Sequence, residues 1–91
     1  MIVGRHLRIS GRVQGVFFRQ WTVEQARELG VAGWVRNCPD GTVEAHLSGE
    51  EQPVLALIER MRRGPPAAVV AQVRIDEAPP EEGHGFEVRR G

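Results

Sequence analysis

The sequence predicts an α+β sandwich: two helices packed on one face of an antiparallel sheet. Three observations lead there. Apolar residues alternate with a period of two in several short segments, they recur three and four apart in two longer ones, and glycine or proline marks most of the boundaries between them. The chain has 91 residues, which suits a single domain spanning 1–91. A chain this short buries only about 60–65% of its unfolded surface, so the core is thin and leaves little room for a buried cofactor.

The first strand is predicted from about Arg5 to Val13. Leu7, Ile9 and Val13 fall on one face, and His6, Arg8, Ser10 and Arg12 on the other. Gly11 and Gly15 place a tight loop near Val13–Val16. A helix follows, with Phe18, Thr22, Ala26 and Leu29 on one face and Gly30 as its C-terminal stop. Strand two runs from about Val31 to Asn37. Cys38-Pro-Asp-Gly41 reads as a turn, and strand three carries Val43, Ala45 and Leu47 inward with Thr42, Glu44, His46 and Ser48 outward. The sheet face bearing that polar set is expected to be mostly exposed.

Glu50-Glu51-Gln52-Pro53 opens a second helix, where acids complement the positive helix end and proline is tolerated. Val54, Leu57, Ile58 and Met61 form its apolar stripe, and Arg60, Arg62 and Arg63 read as a solvated last turn. A fourth strand, about Val69–Asp76, should alternate through Val69, Ala71, Val73 and Ile75. A polar loop, Pro79–Gly85, leads to a short last strand at Phe86 and Val88. The order β-α-β-β-α-β plus a terminal strand is that of a ferredoxin-like sandwich.

Composition narrows the function classes. Formal charge is zero, which argues against a dedicated nucleic-acid partner. No apolar run approaches the ~18 residues of a membrane span, and the charged opening carries no signal-peptide core; a cytoplasmic protein without a membrane partner is expected. Cys38 is the lone cysteine, so an intrachain disulfide and a multi-cysteine zinc site are excluded. All 12 cationic side chains are arginine, which removes Schiff-base lysine chemistry and the Walker loop. Ser10 and Ser48 lie outside any nucleophile elbow, and His6, His46 and His84 lack metal-ligand spacing. No side chain stands out as a covalent nucleophile, so an enzyme built on this chain works by positioning and electrostatics.

Two places remain. A strand, the turn Gln14-Gly15-Val16-Phe17 and a helix start make an anion site, because unpaired N–H groups converge at a positive helix end. Arg19 follows in the first helical turn, and its planar fork can hold a phosphoryl group. Asn37, the only asparagine, ends strand two. It either stabilises the turn or positions a water; nothing local decides between them.

The whole chain resembles the acylphosphatases. Gly11-Arg-Val-Gln-Gly-Val-Phe-Phe-Arg19 is similar to the family's first signature, and Gly33-Trp-Val-Arg-Asn37 with Gly41, Val43 and Gly49 to its second. The resemblance implies a small stand-alone hydrolase, needing neither metal nor cofactor. It would cleave the carboxyl-phosphate bond of a small acyl phosphate. Arg19 would bind the phosphoryl group, Asn37 would orient the attacking water, and the backbone N–H groups of Gln14, Gly15, Val16, Phe17, Phe18 and Arg19 would cradle the phosphate. Intact Arg19 and Asn37 argue against the other reading, a non-catalytic anion- or partner-binding module. A monomer is the default expectation.

Overall fold

The computed structural model describes residues 1–90; Gly91, the last residue of the expected domain, lies outside them. The elements in chain order are β1 (Ile2–Arg12), α1 (Phe18–Leu29), β2 (Ala32–Asn37), β3 (Val43–Glu50), α2 (Glu51–Arg63), β4 (Val69–Ala78) and β5 (Phe86–Val88). They form one sheet in the order β4-β1-β3-β2-β5 with both helices on one face, a ferredoxin-like α+β sandwich. Pairing among the first four strands is antiparallel, as expected. The terminal strand departs from that pattern and runs parallel to β2, with Gly33 opposite Phe86 and Val35 opposite Val88. A chain leaving β4 at the far edge must cross the whole sheet to reach β2, and it arrives in the same sense.

The helix-facing core collects Leu7 and Ile9 from β1, Val35 from β2, and Val43, Ala45 and Leu47 from β3. These meet Phe18, Thr22 and Ala26 of α1 and Val54, Leu57, Ile58 and Met61 of α2, as the spacing predicts, and Val23 of α1, which the spacing does not single out. Leu29, expected on the same α1 face, is half-buried against this cluster. Gly30 closes α1 in the left-handed region at φ 73° and donates to the carbonyls of Ala26 and Arg27, as a C-terminal glycine does. Arg60 is less free than a solvated helix end. Its Nη1 donates to Gln25 Oε1 at 2.7 Å and Glu28 Oε1 at 3.0 Å, tying α2 to α1, while Arg62 and Arg63 remain exposed.

Two further sequence expectations change. The predicted alternation of β4 fails at its start: Val69 is 63% exposed, whereas Val70, Val73 and Ile75 pack on the core. The cause is a bulge. Ser10 pairs with Gln72 but Gly11 pairs with Val70, so Ala71 is an extra residue that reverses the facing of everything before it. Gly11 is required there, at φ 118°, because a Cβ would stand 2.2 Å from the Val69 carbonyl oxygen.

The second change concerns the other sheet face. Glu44, His46 and Ser48 do point away from the helices, but all three are buried. β3 lies between β1 and β2, so long side chains from both neighbours fold over its outer residues. Glu44 takes a hydrogen bond from Arg36 Nε and one from His6 Nε2, with Arg8 Nη2 3.7 Å away. Trp34 stacks against His46 with ring centres 6.3 Å apart, and Arg89 covers Trp34 at 4.8 Å.

That covered face predicts an acid-sensitive fold. Burial pushes His46 below its ordinary pKa of 6.5; the Glu81 carboxylate opposes this, and the charges of His6 and Arg89 add to it. Ser48 Oγ accepts from the Glu81 N–H at 2.9 Å, which leaves its own proton for His46 Nε2 at 3.0 Å and suits the neutral ring. Glu44 is also lowered. Burial alone raises it, but the hydrogen bonds from His6 and Arg36 outweigh burial. For both groups the unfolded chain binds more protons than the folded one between the two pKa values, so stability is lost as pH falls. The His46 contribution is complete above 6.5 and fades as pH drops through its lower folded value; that of Glu44 is complete above 4.5 and fades below it. Urea midpoints measured against pH should fall in these two stages, and His46→Gln should remove the upper stage and keep the lower.

Candidate active site

β1 ends at Arg12, and residues 13–17 turn the chain into α1. Val13 and Val16 enter the core, which pins the loop at both ends. Gly15 at φ 73° and Phe17 at φ 63° both lie in the left-handed region. Gly15 is needed for that backbone rather than for space, since a Cβ on it would meet nothing within 4 Å. Phe17 is the one non-glycine residue with a positive φ among the described residues, a conformation that costs about 1–2 kcal/mol.

Phe17 is also the N-cap of α1, without a side-chain hydrogen bond to the helix end and with no acid in the first turn. The first helical bond runs from Trp21 N–H to the Phe17 carbonyl at 3.0 Å. The N–H groups of Phe18, Arg19 and Gln20 therefore precede the ladder and lack an intrahelical acceptor. An uncapped, acid-free helix start is a positive end left open for an anion.

A cleft of ≈ 470 Å³ opens at this point. Its wall includes Gly15, Phe17, Arg19, Asn37 and Val88. The structure thus brings together the two side chains singled out from the sequence, 18 positions apart in the chain. Arg19 is half-buried. The arginine salt bridges among the described residues engage Arg8, Arg36, Arg60, Arg62, Arg74 and Arg89, not Arg19. Asn37 pairs with Val43, sharing the helix-facing side of β2 with Val35. Its Oδ1 is buried and has no hydrogen-bond partner. A buried acceptor left unpaired costs about 1–3 kcal/mol, so this amide is not serving the turn. The turn is held by others: Gly41 N–H donates to the Cys38 carbonyl at 3.1 Å, and Asp40 Oδ1 accepts from the Thr42 N–H at 3.0 Å.

Of the loop residues expected to cradle a phosphate, Gly15, Phe17, Phe18 and Arg19 line the cleft, whereas Gln14 and Val16 are not on its wall and Val16 is buried in the core. The Gln14 side chain has a different position, one that sequence reasoning missed. Its Nε2 donates to the carbonyls of Cys38 and Thr42, both at 2.9 Å. This lashes the loop to the turn directly after Asn37 and holds the two halves of the cleft in register. Val88 was also missed. Its place beside Asn37 follows from the parallel pairing of β5 with β2, which strand periodicity does not reveal.

The family model described as acylphosphatase matches residues 5–88. The chain belongs to the acylphosphatase family. An acylphosphatase from Acidovorax sp. (strain JS42) is 55% identical over 87 residues, covering 96% of this chain and 90% of that protein. Among solved structures, an acylphosphatase from Coxiella burnetii superposes with a TM-score of 0.92 at 40% identity, covering 97% of this chain and 93% of that one. The acylphosphatase of Bacillus subtilis superposes with a TM-score of 0.90 at 33% identity, covering 98% and 99%. The acylphosphatase match takes in the loop, Arg19, Asn37 and Val88 within one segment.

Proposed function

We propose that this chain hydrolyses acyl phosphates to a carboxylate and inorganic phosphate, with Arg19 and Asn37 as its catalytic residues. The observation that carries the reading is the shared cleft of Arg19 and the unpartnered Asn37 at an open helix N-terminus, in a chain of the acylphosphatase family. The phosphoryl group lies on the main-chain N–H groups of residues 14–19 under the Arg19 fork, which stabilises charge on the equatorial oxygens. The Asn37 side-chain amide, on the same cleft wall, hydrogen-bonds a water and aims it at phosphorus, opposite the carboxylate leaving group. Attack forms the new P–O bond as the bond to the acyl oxygen breaks, and a phosphate oxygen takes the water's proton. The carboxylate is a good leaving group, so a metal and a covalent nucleophile are both unnecessary.

The core closes within one sheet and two helices, which supports a single domain acting as a monomer, and an unpaired buried Cys38 suits the cytoplasm. Purified protein should release phosphate from benzoyl phosphate at an undiminished rate in EDTA. Loss of activity on chelation would contradict metal independence. Phosphate binding with no turnover of any acyl phosphate would favour a non-catalytic binding module instead.

A further inference from the structure

We propose that Phe17 and Val88 form an acyl-group subsite, and that this chain prefers acyl phosphates whose acyl group is aromatic or bulky and apolar. The inference rests on the hydrolytic reading above and names the substrate class within it.

Two neighbouring phenylalanines have opposite fates. Phe18 is 1% exposed, in the core, with its ring 5.7 Å from that of Trp21. Phe17 is 84% exposed. Its backbone is in the left-handed region, where glycine is the relaxed residue. It occupies an N-cap, where Ser, Asp, Asn or Gly would serve the helix better. Neither the core, nor the backbone, nor the helix accounts for a phenyl ring at this position. What it has is a place on the wall of the cleft that holds Arg19 and Asn37. Val88, 42% exposed on β5, is on the same wall.

The charge distribution points the same way. Among the described residues Arg19 is the only ionisable side chain lining the cleft, and the phosphoryl group takes it. Among the described residues no carboxylate or second cation is on the wall to recognise an ammonium or carboxylate on the acyl group. With the phosphoryl end at the helix start, the acyl end meets Phe17 and Val88, where an apolar group is desolvated against an aromatic face.

The test is the ratio of kcat/KM for benzoyl phosphate to that for acetyl phosphate, measured in the wild type, Phe17→Gly, Phe17→Leu and Val88→Ser. Phe17→Gly relieves the backbone at φ 63°, so it should fold. The ratio should fall about three- to tenfold in Phe17→Gly, the size expected for losing one aromatic contact. It should fall less in Val88→Ser and be largely restored in Phe17→Leu. A wild type that turns over both substrates, with a ratio that none of the variants moves, overturns the subsite alone. A wild type that turns over neither overturns the hydrolytic reading and the subsite together.

Discussion

Arg19→Ala should lose both turnover and phosphate affinity, whereas Asn37→Ala should lose turnover and keep phosphate affinity. The difference follows from what each side chain can touch. Arg19 has a full charge and two parallel N–H groups at an open helix end, so removing it leaves no side-chain cation on the cleft wall among the described residues and would strip a bound phosphoryl group of its counter-charge. A fall in kcat/KM of about a thousandfold or more is expected, with inhibition by inorganic phosphate weakened in step. Arg19→Lys should recover only part of this, because an ammonium has the charge without the planar fork. Asn37 is neutral and, in the proposed mechanism, meets the water rather than the phosphate. Its loss should lower kcat about 10²–10³-fold, as for other single positioning donors or acceptors, with phosphate inhibition close to that of the wild type. Steady-state kinetics on benzoyl phosphate with phosphate as competitor separates the two roles. Equal weakening of phosphate inhibition by both alanines would show that the roles are not divided this way.

Gly33→Ala should be among the most damaging single changes to stability. Gly33 is in β2 between two partners, opposite Leu47 of β3 and Phe86 of β5, at φ 143°. A Cβ there would stand 1.8 Å from the His46 carbonyl oxygen and 3.1 Å from Phe86 Cε2. The first contact is with backbone of the central hairpin, which cannot move without breaking the ladder that positions Asn37. Strained dihedrals and a backbone clash together should cost at least about 3 kcal/mol. Gly30→Ala is the matched control. Gly30 also has a positive φ, 73°, but a Cβ on it meets nothing within 4 Å, so only the left-handed cost of about 1 kcal/mol applies. Urea unfolding at constant slope measures the gap. Equal losses would mean that conformation rather than the clash dominates.

Gly33 also shows where sequence reading stops. Its place in the second family signature was legible, but the carbonyl that forbids a side chain there belongs to a strand neighbour 13 positions away. The β4 error has the same origin. Alternation predicted Val69 and Ala71 inward, and a bulge set by pairing with β1 turned them out. His46 and Ser48 had the correct facing but the wrong exposure, because the groups that meet them come from β2, the Trp34 ring, and from the segment before β5, the Glu81 N–H.

The sequence by itself determined the order of elements, the faces of both helices, the loop with Arg19, and, through its resemblance to a family, the pairing of that loop with Asn37. These are carried by local periodicity, by glycine and proline at turns, and by the spacing of two long motifs. Only the tertiary structure decided that Asn37 is an unpaired acceptor in the same cleft as Arg19, that Gln14 lashes loop to turn, and that Val88 and an exposed Phe17 complete the wall. Each depends on which strand lies beside which and in what register, and that is settled by contacts between residues far apart in the chain, where local pattern carries no information.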